Sequence, residues 1–294
     1  MSNCHNTRKT IGIIGAGNLA SSLIRGLHQK NPDAWDFYLT DVDTAKAIHL
    51  ASAYQGIATS LAELVRQADV IILAVKPHNM PELIEQLPVC QLPICPRAEG
   101  HQPCSLLITV AAGLSLSFYE TRLPDQAVIR ALPNTSALVG RSVTGLVRGH
   151  HVDDSQGALA EQIFGALGKI LWLSDNELNA LTAVSGSGPA YFYYLAEAMT
   201  QAGQSLGLTY EESSFLAKQT LVGAGRMIEE TGEEPAALRA KVTSPNGTTH
   251  AAVVSMGRDG FSDLVLRAMT ACRNRAEEME QELTPPPEAP ATML

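Results

Sequence analysis

TIGIIGAGNLASSLIRGL, residues 10–27, runs from a short β-type apolar stretch through closely spaced glycines directly into a helical pattern. Each small residue answers a physical demand. Gly15 permits a tight strand-to-helix turn, and Gly17 lets the backbone approach a pyrophosphate with no Cβ in the way. Ala20, where a third glycine often stands, is small enough for the helix to pack on the strand. The backbone N–H groups that open the helix, at Asn18 and Leu19, meet an anion with the helix dipole behind them. An ordinary glycine-rich turn can carry the same letters. The strand before it and the amphipathic helix after it are what favour a dinucleotide.

Working outward, Asp36 to Thr40 reads as a second strand and Ala45 to Tyr54 as a helix. Asp69 to Val75, Leu106 to Ala111 and Val128 to Leu132 are further β-type runs, separated by helical segments such as Ser117 to Arg122. Strands alternating with helices imply a parallel, doubly wound α/β sheet with right-handed crossovers. After Ser174 the style changes. Asn176 to Val184, Pro189 to Leu206, Tyr210 to Thr231, Pro235 to Val242 and Thr248 to Met256 are rich in Ala and Leu at helical spacing. The expected organisation is a Rossmann-like dinucleotide-binding domain over 1–173, an all-helical domain over 174–283, and a proline-rich, disordered tail over 284–294.

Composition narrows the classes. A chain of 294 residues with 45% hydrophobic residues can bury a core in each of two domains. A formal charge of −9 without a basic cluster argues against nucleic acid as a partner. No stretch has signal-peptide or membrane-span character, so no membrane partner is expected and the cytoplasm is the expected location. Five cysteines, an odd number, fit reduced thiols better than a disulfide framework. Three of them, Cys90, Cys95 and Cys104, lie near His101 in a proline-rich loop over 87–105. The Cys-x4-Cys-x8-Cys spacing lacks the close pair usual in zinc sites, and no metal is expected.

Further motifs sit where ligands would. Ala74, Val75, Lys76 and Pro77 follow the third apolar run, and Ala111, Ala112 and Gly113 follow the next. Both are carboxyl edges of strands, where doubly wound sheets place ligand contacts. Arg130 to Thr135 (RALPNT) closes another strand, with Asn134 available for backbone or amide contacts to a cofactor. Ser185 to Tyr191 (SGSGPAY) breaks a helical pattern, as an interhelical kink or a place of close approach. In Val242 to His250 (VTSPNGTTH), the residues Ser244, Pro245, Asn246 and Gly247 form a turn into a helix starting at Thr248. Several N–H groups and the Thr249 hydroxyl can then converge on a small carboxylate. A helix start contributes about 0.3–2 kcal/mol toward an anion, and each charge-assisted hydrogen bond about 1.5–3 kcal/mol. A simply capped helix is the structural alternative.

GAGNLA, AVKP, VAAG, RALPNT, SGSGPAY and VTSPNGTT, in this order, resemble the pyrroline-5-carboxylate reductase family over about Thr10 to Glu282. The resemblance implies NAD(P)H-dependent reduction of 1-pyrroline-5-carboxylate to L-proline, the last step of proline biosynthesis. It also implies a helical domain that interlocks as a homodimer, with larger rings in some members. Ser244, Asn246, Gly247, Thr248 and Thr249 become the substrate-binding turn, with Thr249 as the catalytic hydrogen-bond donor. The chain departs from the family pattern at Asn246, usually Gly, at Ser136, usually Pro, at Arg141-Ser142, usually Glu-Gly, at Gly257, usually polar, and in the longer loop over 87–105. Family members commonly accept NADPH. Asp41, at the end of the second strand, would accept hydrogen bonds from the adenosine ribose and repel a 2′-phosphate, which favours NADH. Asp43 adds charge of the same sign; dual use stays open, as does a purely structural Asp41. A β-hydroxyacid dehydrogenase would carry a lysine on the Pro189 to Leu206 helix, which has none. A catalytically silent dinucleotide sensor would have no need of the VTSPNGTT turn.

Overall fold

The computed structural model describes residues 8–87 and 106–283. The cysteine-bearing loop after Leu87 and the tail from 284 lie outside the described residues, together with the readings made on them. Two compact units emerge, one running to Gly186 and taking the chain back from Arg273, the other spanning Ser187–Cys272.

The first unit is built on an eight-stranded sheet of order β3-β2-β1-β4-β5-β6-β7-β8. Its strands are β1 (Lys9–Ile14), β2 (Trp35–Thr40), β3 (Ile57–Ala58), β4 (Val70–Leu73), β5 (Leu106–Thr109), β6 (Val128–Leu132), β7 (Ser142–Arg148) and β8 (Gly168–Trp172). The accompanying helices are α1 (Asn18–Lys30), α2 (Thr44–Ala53), α3 (Leu61–Gln67), α4 (Met80–Gln86), α5 (Leu116–Arg122), α6 (Asp154–Phe164) and α7 (Leu178–Leu181). Both faces of the sheet are covered, so the central strands read as continuous apolar runs; β4 and β5 are buried at every residue. Alternation still divides their side chains. Ile72 and Ile108 join the core that holds Leu23 and Leu27 of α1, whereas Ile71 and Leu107 join the one that holds Leu64 and Phe118. On α1 the buried Ala20, Leu23, Ile24 and Leu27 recur at one-face helical spacing.

The doubly wound sheet expected from the sequence is present, with one correction. β6 and β7 pair antiparallel, Arg130 opposite Val147, and β8 then runs parallel to β7. A crossover helix is what forces parallel pairing. Between β6 and β7 there is only a short 3-10 turn, Thr135–Val139, closed by left-handed Gly140, so the chain doubles back.

The unit boundary falls after Gly186 rather than at the expected 173/174. Leu178 and Leu181 of α7 are buried in a core of the sheet unit, and Gly145 of β7 has no Cβ where their methyls lie. Helical composition therefore begins before the helical unit does. The second unit holds α8 (Gly188–Ser205), α9 (Tyr210–Thr231), α10 (Pro235–Lys241), α11 (Thr248–Arg258) and the start of α12 (Phe261–Leu283). Gly203 of α8 lets Ser213 of α9 come close, and a Cβ there would lie 2.6 Å from the Ser213 hydroxyl. A capping box between Thr209 and Glu212 starts α9. Little of this unit is buried within the chain. α10 and α11 bury no residue, and Phe192, Tyr194, Phe215 and Leu266 are each more than half exposed.

No helix among the described residues is long and apolar enough to cross a membrane. No group of three or more His, Cys, Asp and Glu side chains among them could hold a metal ion.

Candidate active site

The strand order places the topological switch point between β1 and β4, because the chain leaves β1 on one side for β2 and returns on the other as β4. Ligands bind outside the carboxyl ends of strands at such a crevice. Register brings the sequence motifs to one level: Ile14 pairs with Thr40 and Leu73, Leu73 with Thr109, and Thr109 with Arg130. The glycine turn, Asp41, Ala74 to Pro77 and Val110 to Gly113 therefore leave neighbouring strand ends side by side.

Gly15 has φ +103°, and a Cβ there would lie 2.6 Å from the Ala74 carbonyl oxygen, so no other residue fits without moving backbone. Its N–H donates to Thr40 O at 2.8 Å. Gly17 has open space around it, with nothing within 4 Å of a built Cβ, and it caps α1 without a side-chain hydrogen bond. The amides of Gly17, Asn18 and Leu19 have no acceptor among the described residues, the first helical bond being Ser21 N–H to Gly17 O. A backbone cradle with unused donors and no Cβ in the way fits a pyrophosphate, so the residues present suit a dinucleotide. Asp41 is less free than the sequence suggests. It accepts from the Ala16 amide at 2.7 Å and the Asp43 amide at 2.8 Å.

After β4, Pro77 opens a 3-10 turn over Pro77–Asn79, and Lys76 is exposed. After β5, Ala111 and Gly113 are buried and Ala112 partly so; Gly113 takes φ +75° against Met279 of α12. Tyr119 lies beneath this turn, its hydroxyl 2.7 Å from Thr109 Oγ1. Burial pushes the phenol up to about 12, against the opposing pull of the Thr109 hydrogen bond and the Arg130 charge.

RALPNT behaves differently from the expectation of a cofactor contact. Every polar group of Asn134 has an internal partner: its N–H donates to Ser142 Oγ, its carbonyl accepts from Ala137 N–H, its Oδ1 accepts from Ser136 N–H, and its Nδ2 reaches Ser185 O at 2.9 Å and Ser185 Oγ at 3.0 Å. Ser185 lies in a π-helical turn over Thr182–Gly186, the irregularity legible as SGSG in the sequence. Asn134 thus holds a distorted helix rather than offering free donors. Arg130 of the same motif is buried, ion-paired with Asp175 and, at 3.0 Å, with Glu280 of α12. Glu280 also accepts from Asn179 Nδ2 at 3.0 Å, and Asp175 from the Leu116 amide at 3.0 Å. Sequence reading missed this network because its members lie 45 and 150 residues from Arg130.

In the helical unit, the Ser244 to Gly247 turn closes through Gly247 N–H to Ser244 O at 3.0 Å. Asn246 sits at φ +60°, the left-handed region that Asn and Gly tolerate, which is why it can stand where Gly is usual. Gly247 is the N-cap of the 11-residue α11 and gives no side-chain cap. The amides of Thr248 and Thr249 have no acceptor among the described residues, and both threonines are exposed. The turn is an uncapped helix start with hydroxyls beside it, suited to a small anion.

A mostly parallel sheet with a glycine turn at its switch point, followed in the chain by a sparsely buried helical unit, is the layout of a nicotinamide-dependent oxidoreductase. Residues 10–93 match the family described as NADP oxidoreductase, coenzyme F420-dependent, and residues 175–279 match pyrroline-5-carboxylate reductase dimerisation. The chain is 40% identical to the pyrroline-5-carboxylate reductase of Pseudomonas aeruginosa over 276 residues, covering 93% of this chain and 97% of that one. The solved pyrroline-5-carboxylate reductase of Coxiella burnetii is 33% identical with a TM-score of 0.83, covering 93% and 99%. The pyrroline carboxylate reductase of Plasmodium falciparum, solved with NADP bound, shares the fold at 24% identity and a TM-score of 0.74, covering 92% and 98%. The chain belongs to the pyrroline-5-carboxylate reductase family. Its reaction is the NAD(P)H-dependent reduction of 1-pyrroline-5-carboxylate to L-proline, the last step of proline biosynthesis, and the chain associates with itself through the dimerisation region.

Proposed function

We propose that the two turns divide the work of this reaction. The dinucleotide pyrophosphate lies on Gly15, Gly17, Asn18 and Leu19, and the loops Ala74 to Pro77 and Ala111 to Gly113 direct the nicotinamide. Asn134 is a positioning residue, acting through Ser185. The substrate carboxylate sits on Ser244, Asn246, Gly247, Thr248 and Thr249, and Thr249 is the residue that donates to the substrate. A bound nicotinamide cofactor supplies the hydride. The substrate is a cyclic imine whose carbon beside nitrogen accepts hydride more readily once nitrogen is protonated. Alignment therefore matters more than a strong acid, and the protein's task is to fix the ring carbon at hydride distance and keep it there.

The observation that supports this reading most is the uncapped start of α11 beside left-handed Asn246. Thr249→Val tests it. kcat/KM for pyrroline-5-carboxylate should fall by at least about tenfold, the loss of one charge-assisted hydrogen bond, with the cofactor dissociation constant unchanged. An unaltered kcat/KM removes Thr249 from the site.

On cofactor choice, we assign Asp41 to the adenosine ribose, which leans the enzyme toward NADH. Lys46 is the single Lys or Arg between Lys30 and Arg66, and it is paired with Asp43 at 3.4 Å, which leaves no uncommitted cation in this turn for a 2′-phosphate. Initial rates with each cofactor decide it. The exposed aromatic and aliphatic side chains of α8, α9 and α12 support a homodimer as the working form, a larger ring being its extension. The odd set of cysteines supports a reducing, cytoplasmic setting.

A further inference from the structure

We propose that Asp41 is a positioning residue for the entire dinucleotide cradle, so that grip and discrimination depend on a single side chain. This inference deepens the reading of Asp41 as the ribose contact and rests on it only for the discrimination half. Two consecutive amides of the glycine turn are tied to the end of β2, Gly15 N–H to the Thr40 carbonyl at 2.8 Å and Ala16 N–H to Asp41 Oδ2 at 2.7 Å. The other carboxylate oxygen, Oδ1, accepts from Asp43 N–H at 2.8 Å and so fixes the turn that opens α2. A carboxylate offers about four acceptor sites. Two are in use, and two are left for a pair of ribose hydroxyls.

The consequence concerns which amides can meet the pyrophosphate. Ala16 N–H is spent on Asp41, so the donors left are those of Gly17, Asn18 and Leu19. Their direction depends on the turn that Ala16 anchors. Gly17 provides no steric support, since nothing lies within 4 Å of where its Cβ would be. Gly15 tolerates φ +103° but, having no side chain, does not itself hold the turn in that shape. Replacing Asp41 to admit a 2′-phosphate would therefore loosen the pyrophosphate site at the same time.

The test uses the full-length protein with Asp41→Ala and, as a control on charge alone, Asp43→Asn, which can still cap α2. Amide hydrogen exchange is measured at Ala16 without cofactor, with Ile13 and Ile72 as internal reporters that the sheet is folded. NADH and NADPH dissociation constants are measured by fluorescence titration, and kcat at saturating cofactor. In Asp41→Ala, which has no acceptor for Ala16 N–H, we expect Ala16 to exchange at least about tenfold faster, as for loss of one charge-assisted bond, and both cofactors to bind more weakly. kcat should change far less than either dissociation constant. Asp43→Asn should leave Ala16 protected. The proposal is overturned if Asp41→Ala keeps Ala16 protected, and equally if NADPH binding tightens as NADH binding weakens. A wild-type preference for NADPH would defeat the ribose reading alone, because the Ala16 exchange rate would still decide whether Asp41 anchors the turn.

Discussion

Gly15, Asn246 and Tyr119 each sit in a state that few side chains would accept. Gly15 combines left-handed backbone with a carbonyl oxygen 2.6 Å from the missing Cβ. Gly15→Ala should cost about 1–3 kcal/mol of stability and weaken both nicotinamide cofactors, measured by thermal melting and by titration. Asn246→Gly, by contrast, keeps the required φ and should change KM for pyrroline-5-carboxylate by less than about twofold, whereas Asn246→Val forces a β-branched residue to φ +60° and should raise it severalfold. Tyr119 yields a pH prediction. Its phenol is held neutral to about 12 in the fold and titrates at 10.0 when exposed. Between those values the unfolded chain has lost the proton and the folded chain has not, so the Tyr119 contribution is complete below pH 10 and falls as pH rises toward 12. About 3 kcal/mol is lost across that window. The decline of stability with alkaline pH should be shallower in Tyr119→Phe than in the parent, as read by denaturant midpoints from pH 9 to 12.

At the scale of elements, the end of α12 is held to the sheet unit by the pairing of Glu280 with buried Arg130 and by Met279 against Gly113. Glu280→Ala would leave Arg130 with Asp175 as its carboxylate partner and should destabilise the protein by about 2–3 kcal/mol. Glu280→Gln should recover part of that, because an amide oxygen still accepts. The sequence made most central elements legible. β6 and α9 were read to the residue, and β2, α2 and α8 to within one, since buried β-branched runs and capped amphipathic helices carry strong periodic signals. β3 has only two residues, too short for any pattern. β8 alternates partly buried and exposed positions and includes Lys169, and β7 carries Gly145 at its centre, so neither resembles a buried parallel strand. The glycine turn and the Ser244 to Gly247 turn were legible as backbone geometry, because left-handed and close-approach positions select particular residues. The role of Asn134 was not, since its partners Ser142 and Ser185 lie 8 and 51 residues away.

For the molecule as a whole, the helical unit exposes far more apolar surface than a lone chain tolerates. Phe215 of α9 is 64% exposed and Leu266 of α12 is 65% exposed. A charge at such a position should disrupt self-association: Phe215→Glu is expected to shift the protein to monomer in sedimentation velocity and to depress activity while cofactor binding persists. Parent-like sedimentation of this variant would move the contact to another helix face.

The chain leaves the sheet unit at Gly186 and returns to it only at Arg273. On a ribosome the eight strands emerge first, yet Arg130 is made 150 residues before Glu280. A nascent chain stalled anywhere before α12 is finished would hold a sheet whose buried guanidinium still lacks one of its two carboxylates, and whose Gly113 turn lacks Met279. Completion of the cofactor-binding half thus waits for the last part of translation, and chains truncated before residue 279 should be cleared by proteases even though every strand is present.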